Sequence, residues 1–111
     1  MGETLPRDDN NQIMSNVYKS LVASRKVVTT AGTRVQLSDT SVACKRLDIM
    51  AETDNTGNIA IGNVAVVALA GSEEGIILNA GQTYTFYVTN LNLIYLDSTV
   101  SGDGVTFVYF D

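Results

Sequence analysis

Histidine and tryptophan are absent from these 111 residues, and cysteine and proline each occur once. Without histidine the chain lacks the commonest general base and a principal transition-metal ligand, and no nucleophile is paired with a base that would activate it. An enzymatic role and a bound cofactor are therefore not expected. With Cys44 alone, no disulfide can form within the chain, which fits folding in a reducing cytoplasm, and the expected role of Cys44 is that of a small buried hydrophobe. Long apolar runs are missing too. The longest, Val64 to Ala70, falls far short of the roughly 20 residues that cross a bilayer. The polar opening from Met1 to Asp9 has neither the basic start nor the apolar centre of a signal peptide, so the expectation is a soluble chain that is not exported by the general route and does not engage a membrane.

Basic charge is absent from the second part of the chain. All seven basic residues, Arg7, Lys19, Arg25, Lys26, Arg34, Lys45 and Arg46, precede residue 47, and against Glu3, Asp8, Asp9 and Asp39 they leave that segment at +3. The remaining eight carboxylates put the rest at −8, for a net charge of −5. The two parts could attract each other within or between subunits, or interleave in the fold so that the asymmetry cancels. A sequence pI near 4.4 argues against nucleic acid as a partner. If the strands carrying Arg25, Lys26, Arg34, Lys45 and Arg46 pair, these residues form one basic group suited to an acidic protein neighbour.

What is present is a 45% hydrophobic content, enough for the core of one domain of this length. Two regions differ in pattern. In residues 1–24, Ile13, Met14, Val17, Tyr18 and Leu21 fall on one stripe of a helix that Asp9 or Asn10 would cap, although Asn11, Ser15, Asn16 and Ser20 are indifferent helix formers. This segment reads as an arm, partly helical or extended, that orders on docking to its own domain or to a neighbour. From residue 25 to 111, apolar residues alternate with period two: Val35 and Leu37, then Leu47, Ile49 and Ala51, then Ile59 and Ile61, then Tyr84, Phe86 and Val88. These are the expected core positions. Turn signals separate them at Ala31-Gly32, Asp54-Asn-Thr-Gly57, Ala80-Gly81 and Ser101-Gly-Asp-Gly104. Seven to nine short strands without crossover helices predict an all-β fold, an antiparallel β-sandwich or jelly roll with an N-terminal arm. The last strand, Val105 to Phe110, is apolar on both faces and so should be central or covered. The Val64–Ala70 run is expected either as an internal strand or as a hairpin packed on a neighbouring subunit.

Other constellations carry little chemistry. Asp54-Asn-Thr-Gly-Asn58 lacks the alternating ligands and distal Glu of a calcium loop and reads as a hairpin turn. Glu73-Glu74 reads as a solvated loop tip, and neither Gly62 nor Gly71 precedes a helix that could hold a phosphate. Tyr87 and Tyr95 are the aromatics that could stack on a sugar ring in a carbohydrate-binding module.

The blocks Val27-Val-Thr-Thr-Ala-Gly-Thr-Arg-Val-Gln-Leu37, Cys44-Lys-Arg-Leu-Asp-Ile-Met-Ala51, Asn55-Thr-Gly-Asn-Ile-Ala-Ile-Gly62, Gly75-Ile-Ile-Leu-Asn-Ala-Gly81 and Gly104-Val-Thr-Phe-Val-Tyr109, with the opening Leu5-Pro-Arg-Asp-Asp-Asn10, resemble a family of small structural proteins of tailed bacteriophages. The stretch from 64 to 70 departs from that pattern. The resemblance implies a β-sandwich present in many copies on a virion assembled in the host cytoplasm, as a capsid decoration or cement protein on the major capsid protein, with a neck, tail or fibre component as the alternative. It carries over no catalytic residues. On this reading the module is a cyclic homo-oligomer, a trimer by preference. Its contacts are Ile13, Met14, Val17, Tyr18 and Leu21 on the arm together with the five basic residues of the group.

Overall fold

The computed structural model describes residues 17–111. Eight strands follow in chain order: β1 (Leu21–Val27), β2 (Val35–Gln36), β3 (Arg46–Ala51), β4 (Ile59–Gly62), β5 (Ile76–Leu78), β6 (Thr83–Phe86), β7 (Tyr95–Ser98) and β8 (Gly104–Phe110). They form two four-stranded antiparallel sheets, ordered β1-β8-β3-β6 and β2-β7-β4-β5. The fold is the all-β, two-sheet arrangement that the alternation predicts. Among the described residues the one helical segment is a single 3-10 turn, Leu91–Leu93, and no helix is long and apolar enough to cross a membrane.

Period-two alternation decides which face turns inward. In β3, Leu47, Ile49 and Ala51 are buried while Arg46, Asp48 and Met50 between them are not. Leu47 and Ile49 meet Ile59, Ile61, Leu78 and Leu96 of the facing sheet in one continuous apolar cluster, joined by Val105 and Phe107 of β8. Burying side chains of this size stabilises the fold by about 1.5–3 kcal/mol each, so this cluster is what holds the two sheets together. Gly32, Gly81 and Gly102 take positive φ at three of the expected turns, a conformation that costs glycine nothing. Cys44 is buried, donating its thiol to the Val88 carbonyl at 3.2 Å. Burial pushes the thiol above its ordinary range and the charge of Asp111 adds to the effect.

Three expectations need correction. Leu21–Ser24 belong to the domain and not to an arm, because β1 pairs with β8 through seven consecutive positions, from Leu21 opposite Phe110 to Val27 opposite Gly104. A helical stripe therefore does not reach Leu21. Tyr84, expected in the core, is 43% exposed. It lies in the row of Ile49 on the core side of the sheet, but β6 is an edge strand with a neighbour on one side only.

The third concerns Val64–Ala70, which forms neither an internal strand nor a regular hairpin. After β4 the chain makes an excursion over residues 63–75 whose one ladder contact is an isolated bridge between Val67 and Glu74. Val66 and Ala68 are buried against Ala60, Ile77 and Tyr95 on the outer face of β2-β7-β4-β5, while Val64 and Leu69 are exposed. The run is apolar because it caps a sheet. Asp97 of β7 fixes the excursion, its buried carboxylate accepting from the backbone N–H of Gly32 at 3.0 Å and of Ala68 at 2.9 Å.

Candidate interaction surface

On the sheet β1-β8-β3-β6, residues directly opposite one another share a face. The outer face is therefore laid out in cross-strand rows. Leu21, Phe110 and Arg46 form the first. Ala23, Val108, Asp48 and Thr85 form the second, and Arg25, Thr106, Met50 and Thr83 the third. Small side chains at Ala23, Thr83 and Thr106, on a sheet with the usual twist, leave a shallow open concavity of about 700 Å³ across the last two rows.

The first row ends the sheet in an aromatic and charged cluster. Tyr18 packs on Phe110 with ring centroids 5.3 Å apart, and the Arg46 guanidinium lies 5.4 Å from the centre of the same ring. Arg46 is also held by Asp48 at 3.1 Å, and that hydrogen bond pushes its guanidinium above its already high value. Lys45 stands exposed beside it. Leu21 is 63% exposed here and Val17 ahead of it is exposed too, whereas Val22, also exposed, lies in the row of Tyr109 and Leu47 on the opposite face.

The basic group expected from the sequence is only partly assembled. β1 and β3 do not pair with each other, since β8 lies between them. Arg25 shares the outer face with Arg46 but stands four residues farther along the strands and is engaged by Glu52, with its Nε 2.9 Å from Oε2 and its NH2 group 3.0 Å from Oε1. Lys26, next in an alternating strand, points to the opposite face. Arg34 belongs to the other side of the molecule, where its Nε donates to the carbonyl of Val66 in the excursion. Of the expected arm contacts, Tyr18 and Leu21 come together at the Phe110 end, with Val17 just ahead of them, and Ile13 and Met14 lie outside the described residues.

Sequence reasoning missed the concavity, because the residues that make it are the small and polar members of the alternation. It also took Asp103 only as part of a turn. That carboxylate is buried and accepts from the backbone N–H groups of Thr56 at 3.2 Å and Gly57 at 2.8 Å. Asp103 and Asp97 thus organise loops. Among the described residues no group of three or more Cys, Asp and Glu side chains is arranged to hold a metal ion. Of the two tyrosines considered for sugar stacking, Tyr87 is exposed, whereas Tyr95 is half-buried under the excursion.

Comparison with known proteins returns no matching family model, no matching curated protein and no matching solved structure.

Proposed function

We propose that this chain is a structural protein of a virion, a decoration module that binds the major capsid lattice through the Phe110 end of its first sheet and through the segment that precedes residue 17. The observation that carries the reading is the convergence of Tyr18, exposed Leu21 and Arg46 around Phe110, with exposed Lys45 bonded to the Phe110 carbonyl through its backbone N–H. An aromatic and aliphatic centre rimmed by arginine and lysine has the composition of a protein-binding surface. The resemblance of the strand-and-turn blocks to small phage structural proteins suggests the virion context, and a two-sheet module with a short leading segment suits a protein that bridges junctions between shell subunits. Assembly as a cyclic homo-oligomer would multiply such contacts.

Cosedimentation of the purified chain with shells lacking it tests the proposal. Saturable binding is expected, weakened about tenfold, or about 1.4 kcal/mol, by Leu21→Asp or Arg46→Ala. Absence of binding by the folded wild-type chain, or binding indifferent to both substitutions, would count against it. A neck, tail or fibre position is the alternative, distinguished by copy number.

A further inference from the structure

At the edge of a sheet one side of the backbone has no neighbour, and another chain can add a strand there. Of the edge strands, β2, β5 and β6 run for 2, 3 and 4 residues, whereas β1 runs for 7. Its sequence holds no proline, and its register with β8 is unbroken from Leu21 to Val27, so no bulge turns it away. Leu21 to Arg25 are exposed.

The hydrogen bonds at its two ends show which of its backbone groups are free. Ser20 and Asp111 exchange both N–H···O bonds, at 2.9 and 3.1 Å, and Val28 donates to the Asp103 carbonyl at 2.8 Å. Bonded positions alternate along an antiparallel pair. Val22, Ser24 and Lys26 therefore turn their N–H and C=O groups to β8, while Leu21, Ala23, Arg25 and Val27 turn theirs outward, where no partner meets them among the described residues.

A second copy of the same strand satisfies all of these groups in one register. With Ser24 of one copy opposite Ser24 of the other, Ala23 meets Arg25 and Leu21 meets Val27, each as a bonded pair. The pattern is self-complementary, as a two-fold contact requires. Leu21, exposed in the single chain, gains an apolar neighbour in Val27, and on the other face exposed Val22 lies opposite the aliphatic stem of Lys26. Moving the centre to Arg25 would set two arginines opposite each other. Moving it to Ala23 would set Val27 opposite Lys19, whose N–H already goes to the Asp111 carbonyl.

We infer that two copies of this chain associate edge to edge through β1, antiparallel about a two-fold axis at Ser24, and so join their β1-β8-β3-β6 sheets into one continuous sheet. Strand addition takes up the edge and leaves the outer faces open. The two Phe110 ends lie at opposite ends of the joined strands, so the surface assigned above to a partner stays available. The inference goes beyond the virion reading and does not depend on it, and it gives the homo-oligomer two-fold symmetry where the resemblance prefers a trimer.

Analytical ultracentrifugation of the full chain tests it. The wild type should sediment as a dimer of 11.9 kDa chains and Ala23→Pro as a monomer. Because Ala23 turns its N–H away from β8, proline there removes a bond of the joint and none of the domain. The register is read with cysteines, buried Cys44 being left in place. Ser24→Cys should oxidise to a disulfide-linked dimer, since opposite residues of a non-bonded pair stand about 4.5 Å apart at Cα. Val22→Cys, about 14 Å from its counterpart at 3.4 Å per residue, should stay a free thiol. The cysteine variants decide the matter even if Ala23→Pro fails to fold. A wild type that is monomeric at every concentration reached, a dimer that folded Ala23→Pro leaves unchanged, or linkage at Val22 in preference to Ser24 would overturn the proposal.

Discussion

Tyr18 rests on Phe110 at a ring separation of 5.3 Å, tilted by 41°. Through this contact the first described turn of the chain is tied to its last strand, and both the N-terminal segment and the proposed partner surface are referred to one place on the sandwich. Aromatic pairs of this geometry contribute about 0.5–1.5 kcal/mol beyond their burial. Tyr18→Ala is therefore expected to lower stability by about 1–2 kcal/mol in urea titration while leaving the sheets intact. Hydrogen exchange should quicken at Lys19 and Ser20, whose N–H groups bond to Asp111, and not in β3.

Asp97 serves two loops that are remote in sequence. Asp97→Ala leaves the N–H groups of Gly32 and Ala68 without their acceptor in a buried site, at about 1–3 kcal/mol each. The expected loss is about 2–5 kcal/mol in a denaturation midpoint, with the amide of Ala68 exchanging early. Asp97→Asn keeps one acceptor oxygen and should fall between the two.

Gly104 of β8 stands opposite Val27 of β1. A Cβ added there would stand 2.5 Å from the carbonyl oxygen of Lys26 and 3.0 Å from Oε1 of Glu52. The backbone of an edge strand must move to admit it, so Gly104→Ala should cost about 1–3 kcal/mol, as overpacking does. It should also loosen the Arg25–Glu52 pair, readable as a chemical-shift change at Arg25 Nε.

Burial holds Cys44 in its thiol form. An aromatic disulfide reagent at mildly alkaline pH should react with the native protein only at the rate of its opening, and promptly once denaturant is added. Because the folded thiol ionises at higher pH than the unfolded one, stability is insensitive to this group below the ordinary thiol range. It falls as pH rises through that range, until the folded thiol ionises as well.

The fold was legible in the sequence where one interaction dominates each position. Leu47, Ile49, Ala51, Ile59 and Ile61 alternate cleanly because each faces a single apolar core, and the double-faced apolar strand ending in Phe110 is central, lying between β1 and β3. Val64–Ala70 was ambiguous because the need to cap a sheet from outside produces the same apolar run as an internal strand. The basic residues were harder still. Whether Arg25, Arg34 and Arg46 share a patch depends on strand order, and strand order depends on long-range pairing that no local pattern encodes. Glu52 and Asp48, which take up Arg25 and Arg46, are close to them only in the folded chain or on the same strand. The concavity left no signal, since shallow outward residues such as Ala23 and Thr106 look like any solvated face.

Copy number in purified particles tests the decoration reading most directly. On that reading, quantitative mass spectrometry of particles purified from the source of this chain should find it at a number comparable to that of their major capsid protein. A small multiple set by tail or neck symmetry, or absence from the particle, would contradict it.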